Sequence, residues 1–519
     1  MADHYNAAAW LVDRHVAAGN GDRLAVVCGP TRLTYGDLQR QVWRAQNALR
    51  QLGVRRGERV AMVLNDEPAF PAWFLGTLRA GSVPVPLSTM LTADDLGALI
   101  EDAEAGVVIV SAEYATHLGA ITRQAPSVRA AVVIGDAGSD GGGTVHVWDS
   151  FSDDSEARVA PTDHDSPGFW LYSSGTTGSA KGIMHRHAAL EATAATYAKT
   201  VLKIQPADRC LSVAKLFFAF GLGNSLTFPF SVGATTILNP ARPTPVGIAA
   251  LLTAERPTLF FASPGFVAAL LDAGIDADAF ASVRLTATAG EALPAELQRR
   301  FHAAYRHPVL DGLGSTEALH IFLSNREDDV GPGTSGTPVD GYQVTLLDER
   351  DAEVLEPGTP GYLHVTGPSI ATGYWRCGDA TRAAFRGAWL RTGDVYLRSA
   401  DGHYTFLGRN SDMIKAGGIW VSPAEVESAL IAHPDVLETA VVGARDANGL
   451  ESVVAFVVPR AGSVIDAASI DAHCRKHMAA FKRPRRVVVV DELPKTATGK
   501  IQRHLLRQRL ARETVSAHA

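Results

Sequence analysis

The sequence predicts an α/β protein with a smaller α+β unit at its C-terminal end, and three observations predict it. Helical and strand periods alternate through the first third, the charge balance reverses near Arg409, and three short apolar runs follow that reversal. In the first third, Thr34 and Asp37 have capping-box spacing, and Leu38, Val42, Ala45, Leu49 and Leu52 follow at helical intervals. An apolar run at 60–64, another helix-like segment and a strand-like stretch at 82–87 come next. Residues 136–143 form a Gly/Asp/Ser loop, and 153–165 form a polar acidic connector.

Residues 1–408 carry 32 Lys and Arg against 43 Asp and Glu, whereas 409–519 carry 16 against 12. Beyond that break, Ser422 and Glu425 repeat the capping-box spacing, with Pro423 at the first helical position and Val426, Leu430 and Ile431 on one face. The apolar runs at 439–442, 453–458 and 487–490 complete an α+β unit of about a hundred residues.

Composition excludes several classes. With 46% hydrophobic and 20% charged residues in 519, the chain has the make-up of an ordinary globular protein, and its 48 Gly and 27 Pro fit no collagen-like or low-complexity pattern. Four scattered cysteines give neither a disulfide framework nor a CxxC metal site, which points to a reducing compartment. The first residues lack the basic-then-apolar order of a signal peptide, so a cytoplasmic location is expected. Residues 216–241 carry no charge, but Gly221, Gly223, Asn224, Ser225, Pro229 and Gly233 interrupt them, which predicts a buried wall rather than a membrane helix. Between Arg475 and Arg512 stand twelve basic and two acidic residues, a solvated face that also suits a polyanionic ligand. No aromatic-rich basic motif supports nucleic acid.

The strongest chemical signal is Tyr172-Ser173-Ser174-Gly175-Thr176-Thr177-Gly178-Ser179-Ala180-Lys181-Gly182, placed after an apolar stretch and before a segment that reads as helical. Backbone N–H groups and hydroxyls in such a loop converge on an anion, and a lysine adds a mobile positive charge. It is not a Walker A loop, because two residues separate Gly178 from Lys181. Residues 331–336 satisfy GxGxxG, but Pro332 and the charged loop before them speak against a dinucleotide site. His185 and His187 lack a third ligand at suitable spacing and are expected to be packing or surface histidines.

The loop resembles the phosphate-binding signature of the adenylate-forming superfamily: acyl- and aryl-CoA synthetases, luciferases and adenylation domains. Further motifs follow in the expected order: Ala289-Gly290-Glu291-Ala292-Leu293-Pro294, Asp311-Gly312-Leu313-Gly314-Ser315-Thr316-Glu317, Tyr374-Trp375, Trp389-Leu390-Arg391-Thr392-Gly393-Asp394, Gly408-Arg409 and Pro494-Lys495-Thr496-Ala497-Thr498-Gly499-Lys500. The resemblance implies a large N-terminal domain of several subdomains over 1–408, a hinge at 409–412 and a small mobile α+β domain over 413–519. It also implies ATP, Mg²⁺ and coenzyme A. Ser173, Ser174, Gly175, Thr176, Thr177, Gly178 and Lys181 would surround the phosphates, and Gly290, Glu291, Asp311, Gly312, Leu313 and Thr316 the rest of the nucleotide. Glu317 would hold Mg²⁺, and Asp394 would take the ribose hydroxyls with Arg409 in support. Lys500 would join Thr176 and Glu317 as a catalytic residue. The hinge position of the Gly-Arg-x-Asp pattern falls on Ser411, with Asp412 next.

Within the superfamily, residues 216–225 and 320–325 resemble the benzoate-CoA ligase group, as does Asn6-Ala7-Ala8. Ala219, Phe220, Gly314, His320 and Ile321 would then line an aryl pocket. Phe220 stands where such enzymes commonly have Tyr, and Ser263-Pro264-Gly265-Phe266 replaces a common Val-Pro-Thr-Tyr segment. Phe481, Arg483 and Arg485 match CoA-contact positions of chlorobenzoate-CoA ligases, with Asn448 in place of a contacting Trp, and Gly417 and Gly418 would face the pantetheine. The expected activity is an ATP-dependent aryl acid–CoA ligase, acting as monomer or homodimer; loading of an acyl carrier protein is the alternative. A binding protein without turnover is disfavoured because Lys181, Glu317, Asp394 and Lys500 are all present.

Overall fold

Alternate residues of three parallel strands serve two different cores. In Arg59–Val63, Val107–Ser111 and Ala130–Ile134, the side chains of Val60, Met62, Val107, Ile109, Ala130 and Val132 enter one apolar cluster. Ala61, Val63, Val108, Val110, Ala131 and Val133 enter another. Strands covered on both faces read as unbroken apolar runs, which is why 60–64 carries no polar side chain. The computed structural model describes residues 4–136, 145–174, 180–416, 419–445, 451–495 and 501–516. Val83–Pro86 and Val145–Val147 complete this five-stranded parallel sheet at its edges.

The helix Tyr35–Gln51 starts as its sequence predicts. Thr34 Oγ1 accepts from Asp37 N at 3.1 Å, and Asp37 Oδ2 accepts from Thr34 N at 2.9 Å. Its buried face packs on the helix Ala69–Arg79, where a Cβ on Gly76 would stand 2.7 Å from that of Ala45. Only glycine permits so close an approach.

The second sheet has nine strands, parallel in the middle and antiparallel at both ends. Arg209–Ser212, Leu259–Ala262, Leu285–Thr288 and Val309–Gly314 are adjacent and parallel within it. The loops leaving their carboxyl ends carry residues 213–218, 263, 289–294 and 315–320, so one edge of the sheet gathers much of the motif chemistry. The uncharged stretch 216–241 holds the short helices Ala219–Leu222 and Phe228–Val232 and the strand Thr235–Ile237, all largely buried, as a wall and not a membrane helix. Among the described residues no helix is long and apolar enough to cross a membrane.

The phosphate-type loop differs from expectation in its setting. It joins two antiparallel strands, Pro167–Ser174 and Ala180–Arg186, and the next helix begins only at Ala188. Pairing with Pro167–Ser174 on one side, and of Ile183 and Met184 with the distant Tyr374 and Gly373 on the other, overrides the helical reading of the segment. An antiparallel sheet of Gln343–Leu347, Gly361–Thr366, Phe385–Arg386, Trp389–Arg398 and Tyr404–Arg409 follows.

After residue 413 the cores become local. Two apolar clusters draw only on residues from Ile414 onward. They lie around the strands Val436–Arg445, Glu451–Pro459 and Arg486–Val489 and the helices Pro423–Ile431, Ala467–His477 and Arg503–Ser516. Ser422 Oγ accepts from Glu425 N at 3.1 Å at the start of the first of these helices.

Candidate active site

Ser173 and Lys181 face each other in register across the hairpin, directly before and after the tip. Gly175, Thr176, Thr177 and Gly178 lie outside the described residues. The hairpin is anchored close to its tip, where Tyr172 OH donates to Asp102 Oδ2 at 2.6 Å; Trp375 Nε1–H, beside it, donates to Asp102 O at 2.9 Å. Lys181 extends its ammonium to 5.2 Å from the centre of the Tyr374 ring, a cation–π contact.

Glu317 lies on the turn between Val309–Gly314 and Ile321–Ser324. The two strands approach so tightly that a Cβ on Gly312 would stand 2.7 Å from Ile321 Cγ2, and one on Gly314 2.7 Å from His320 O. Leu319, at φ +67°, completes the turn in the left-handed region. Glu317 Oε1 accepts from Tyr374 OH at 2.9 Å, and its carbonyl accepts from Ala371 N at 2.8 Å. Glu317 and Lys181 thus meet the same tyrosine, one at its hydroxyl and the other over its ring.

His185 is buried and stacks on Phe169 at 5.0 Å. Its Nε2–H donates to Thr316 O at 2.9 Å, tying the hairpin to the Glu317 turn. Burial pushes both His185 and His187 down to about 4, so each is a neutral packing group, as expected. No cluster of three metal-ligating side chains exists among the described residues.

Asp311 is buried within Val309–Gly314, beside Thr288 at the end of the neighbouring strand. Its Oδ1 accepts from Thr288 Oγ1 at 2.8 Å and its Oδ2 from Leu293 N at 3.5 Å. Burial pushes this carboxyl up to about 8. The side chain thus binds the neighbouring loop of Gly290 and Glu291, where Gly290 adopts φ +97°. Gly312, Leu313 and Gly314 pair with Ser324, Leu323 and Ile321.

Asp394 and Arg409 are register partners on Trp389–Arg398 and Tyr404–Arg409, with Arg409 Nε 2.8 Å from Asp394 Oδ1. Arg409 also donates from Nη1 to Thr392 O at 3.1 Å. The Asp394 charge beside it holds the Arg409 guanidinium above its usual range.

The apolar residues converge beside the Glu317 turn. The Phe220 ring lies 5.3 Å from His320 and meets Phe261 edge-on at 6.3 Å. Ala219 precedes Phe220 on Ala219–Leu222, and Ile321 follows His320. Burial pushes His320 down to about 3, and its Nε2–H donates to Asn224 Oδ1 at 3.2 Å. A Cβ on Gly223 would stand 2.4 Å from His320 Cδ2. Sequence reasoning assigned no role to Asn224, although an amide in an uncharged stretch is a signal. It also missed Asp66, whose Oδ1 accepts from Leu216 N at 3.0 Å and which burial pushes up to about 6.

In the C-terminal unit, Phe481 and Arg485 are exposed on the surface, and Arg483 donates from Nε to Met478 O at 3.2 Å. Ser411 is exposed on a turn in which Asp412 N and Met413 N both donate to Arg409 O, at 2.8 and 3.0 Å. Gly417, Gly418, Asn448 and Lys500 lie outside the described residues.

Comparison with known proteins accounts for this arrangement. The sequence profile of the AMP-binding enzymes matches residues 13–375, and that of the AMP-binding enzyme C-terminal domain matches 425–500. The chain is 43% identical to the benzoate–CoA ligase of Thauera aromatica over 513 residues, covering 98% of this chain and 96% of that one. It superposes on a benzoate CoA ligase from Burkholderia xenovorans with a TM-score of 0.88 at 40% identity, covering 97% of this chain and 100% of the other. The anthranilate CoA ligase AuaEII in complex with anthranoyl-AMP gives 0.92 at 36% identity, covering 99% and 98%. With both profiles in order along one chain and near-complete coverage of these ligases, the protein belongs to the family of AMP-binding enzymes.

Proposed function

We propose that the chain is an ATP-dependent, AMP-forming aryl acid–CoA ligase acting on benzoate or a substituted benzoate. The observation that carries this reading is the single turn 315–320, which presents a carboxylate, Glu317, toward the phosphate-type hairpin and an aromatic wall, His320, toward Phe220. Ring and phosphates are thereby served from adjacent positions, so a carboxylate on a bound ring points at the nucleotide.

In the first half-reaction a carboxylate oxygen attacks the α-phosphorus of ATP; the acyl–O–P bond forms, the α–β phosphoanhydride breaks, and pyrophosphate leaves. In the second, the CoA sulfur attacks the carbonyl carbon, the thiol proton is lost, and AMP departs. The site contributes charge neutralisation and orientation more than covalent help. Lys181 and the Ser/Thr-rich loop bind phosphate, Asp394 takes the ribose hydroxyls with Arg409 behind it, and the buried Asp311 orients the adenine-side loop rather than touching the nucleotide with its carboxylate.

The donor set fits a divalent cation. Glu317 is half-buried, its carboxylate accepts from the neutral Tyr374 hydroxyl, and carboxylate oxygen is the ligand type that Mg²⁺ takes. Bound there, Mg²⁺ would neutralise charge on the transferred phosphates. Residues 1–408, 409–412 and 413–519 act as N-terminal domain, hinge at Ser411 and mobile domain, with Lys500 serving adenylation and Gly417, Gly418, Phe481, Arg483 and Arg485 serving CoA. The reaction takes place in the cytoplasm. Loading of a carrier protein is not favoured, since the relatives compared above are CoA ligases. Pyrophosphate release over a panel of aromatic and aliphatic acids, with and without CoA, tests the reading. Benzoates should turn over and yield CoA thioesters, and equal turnover of octanoate and benzoate would refute the aryl assignment.

A further inference from the structure

We propose that Tyr374 is a positioning residue of the adenylation step, keeping Lys181 and Glu317 apart and each aimed at its own part of the nucleotide. The inference rests on the reading of Glu317 as the metal-holding carboxylate and extends it to a residue that reading leaves without a role.

Lys181 and Glu317 carry opposite charges on neighbouring elements, yet no ion pair joins them among the described residues. Both meet the Tyr374 side chain. Its face receives the Lys181 ammonium at 5.2 Å from the ring centre, and its hydroxyl donates to Glu317 Oε1 at 2.9 Å. If the two charges met directly, each would satisfy the other and be lost to phosphate or metal. A hydroxyl that binds one carboxylate oxygen costs the carboxylate none of its charge and restricts its rotation, so a cation arriving at the site meets an oriented ligand.

Tyr374 is itself held from several sides. Its backbone pairs with Ile183, one residue beyond Gly182, and Trp375 N donates to Gly182 O at 2.8 Å. Tyr374 N donates to Thr381 Oγ1 at 3.0 Å, and the ring meets Phe385 edge-on at 5.4 Å. Three residues earlier, Ala371 N donates to the Glu317 carbonyl at 2.8 Å. One short segment therefore grips the Lys181 strand by its backbone and Glu317 by both carbonyl and carboxylate, and the Tyr374 ring sets the spacing between the two charges.

The test compares Tyr374→Phe, which keeps the ring and removes the hydroxyl, with Glu317→Gln. Three kinds of quantity are read: Mn²⁺ affinity of the enzyme with α,β-methylene-ATP, from loss of the free-Mn²⁺ electron paramagnetic resonance signal, the half-saturating Mg²⁺ concentration, and the KM values for aryl acid and ATP. Tyr374→Phe should weaken Mn²⁺ binding and raise half-saturating Mg²⁺ about three- to tenfold, the worth of one hydrogen bond, with the aryl-acid KM unchanged. Tyr374→Leu, which also removes the ring face, should raise the KM for ATP as well. Wild-type Mn²⁺ affinity in Tyr374→Phe alongside a loss in Glu317→Gln would overturn the role of Tyr374 and leave the Glu317 reading standing. Undiminished Mn²⁺ binding in Glu317→Gln would remove that reading and the inference with it. A uniform rise in every KM with a lowered melting temperature in Tyr374→Phe would make the residue structural and also overturn the proposal.

Discussion

Arg409 Nε stands 2.8 Å from Asp394 Oδ1, and the two residues are register partners on neighbouring antiparallel strands. Gly393, immediately before, takes φ +80°, a left-handed conformation that suits glycine, and Asp394 is almost fully buried. On the proposed reading, a carboxylate held this firmly is a preorganised acceptor for the ribose hydroxyls. Asp394→Asn keeps the shape and loses the charge, so it should raise the KM for ATP about ten- to a hundredfold while leaving the aryl-acid KM near its starting value. Initial-rate measurements with each substrate varied in turn check this.

Phe220→Tyr should change which benzoates are preferred without abolishing turnover. The ring lies against His320 and Phe261, so an added hydroxyl enters an apolar setting and must find a partner on the substrate. Rings that offer one should gain, and those that do not should lose about 1–3 kcal/mol of transition-state binding. Comparison of kcat/KM over benzoate and its hydroxy and amino derivatives reads the shift; an unaltered profile would put Phe220 outside the pocket.

Lys500→Ala should separate the two half-reactions. In the proposed mechanism Lys500 is a point charge that meets the attacking carboxylate and the α-phosphate, and so acts in the first transition state only. Adenylate formation should fall by several orders of magnitude, and thioester formation from supplied aryl adenylate and CoA should stay within about tenfold. Both assays on one purified variant decide the matter, and comparable losses in both would refute domain alternation.

Asp311 predicts a pH dependence of stability. Its folded-state value, pushed up to about 8 by burial, lies above the ordinary value of 3.8. Between those limits the folded state binds more protons than the unfolded state, so this group makes stability fall as pH rises from about 4 to about 8. Asp311→Asn removes the titration and keeps one acceptor for Thr288. Its melting temperature relative to wild type should therefore increase steadily from pH 5 to pH 8, as differential scanning calorimetry would record.

What was legible in the sequence was local. The Thr34–Asp37 capping box, the apolar run at 60–64 and the helix after Ser422 depend on neighbours a few residues away, and each forms where its pattern places it. The proposed aryl-wall residues came through resemblance, and of these Phe220 and His320 adjoin in space although a hundred positions separate them. What stayed hidden depends on distant partners. Residues 180–186 are held as a strand between 167–174 and the distant 373–374, and Asp66 is committed to Leu216 across 150 positions. Neither pairing leaves a local trace in periodicity.

The turn 315–320 leaves unequal freedom on the two sides of the aryl pocket. Because the same six residues carry the charged side chain and the aromatic wall, and Gly312 and Gly314 pack against the far strand without room for a methyl group, a substitution made there to admit a larger acid also displaces Glu317. Gly223 is equally constrained by His320. If the pocket is as proposed, adaptation to new acids is channelled instead to Ala219 and Phe220 on the facing helix, which bear on the ring. A library confined to those two positions should yield variants of altered selectivity with intact turnover, and one spread over 315–320 should mostly yield inactive protein.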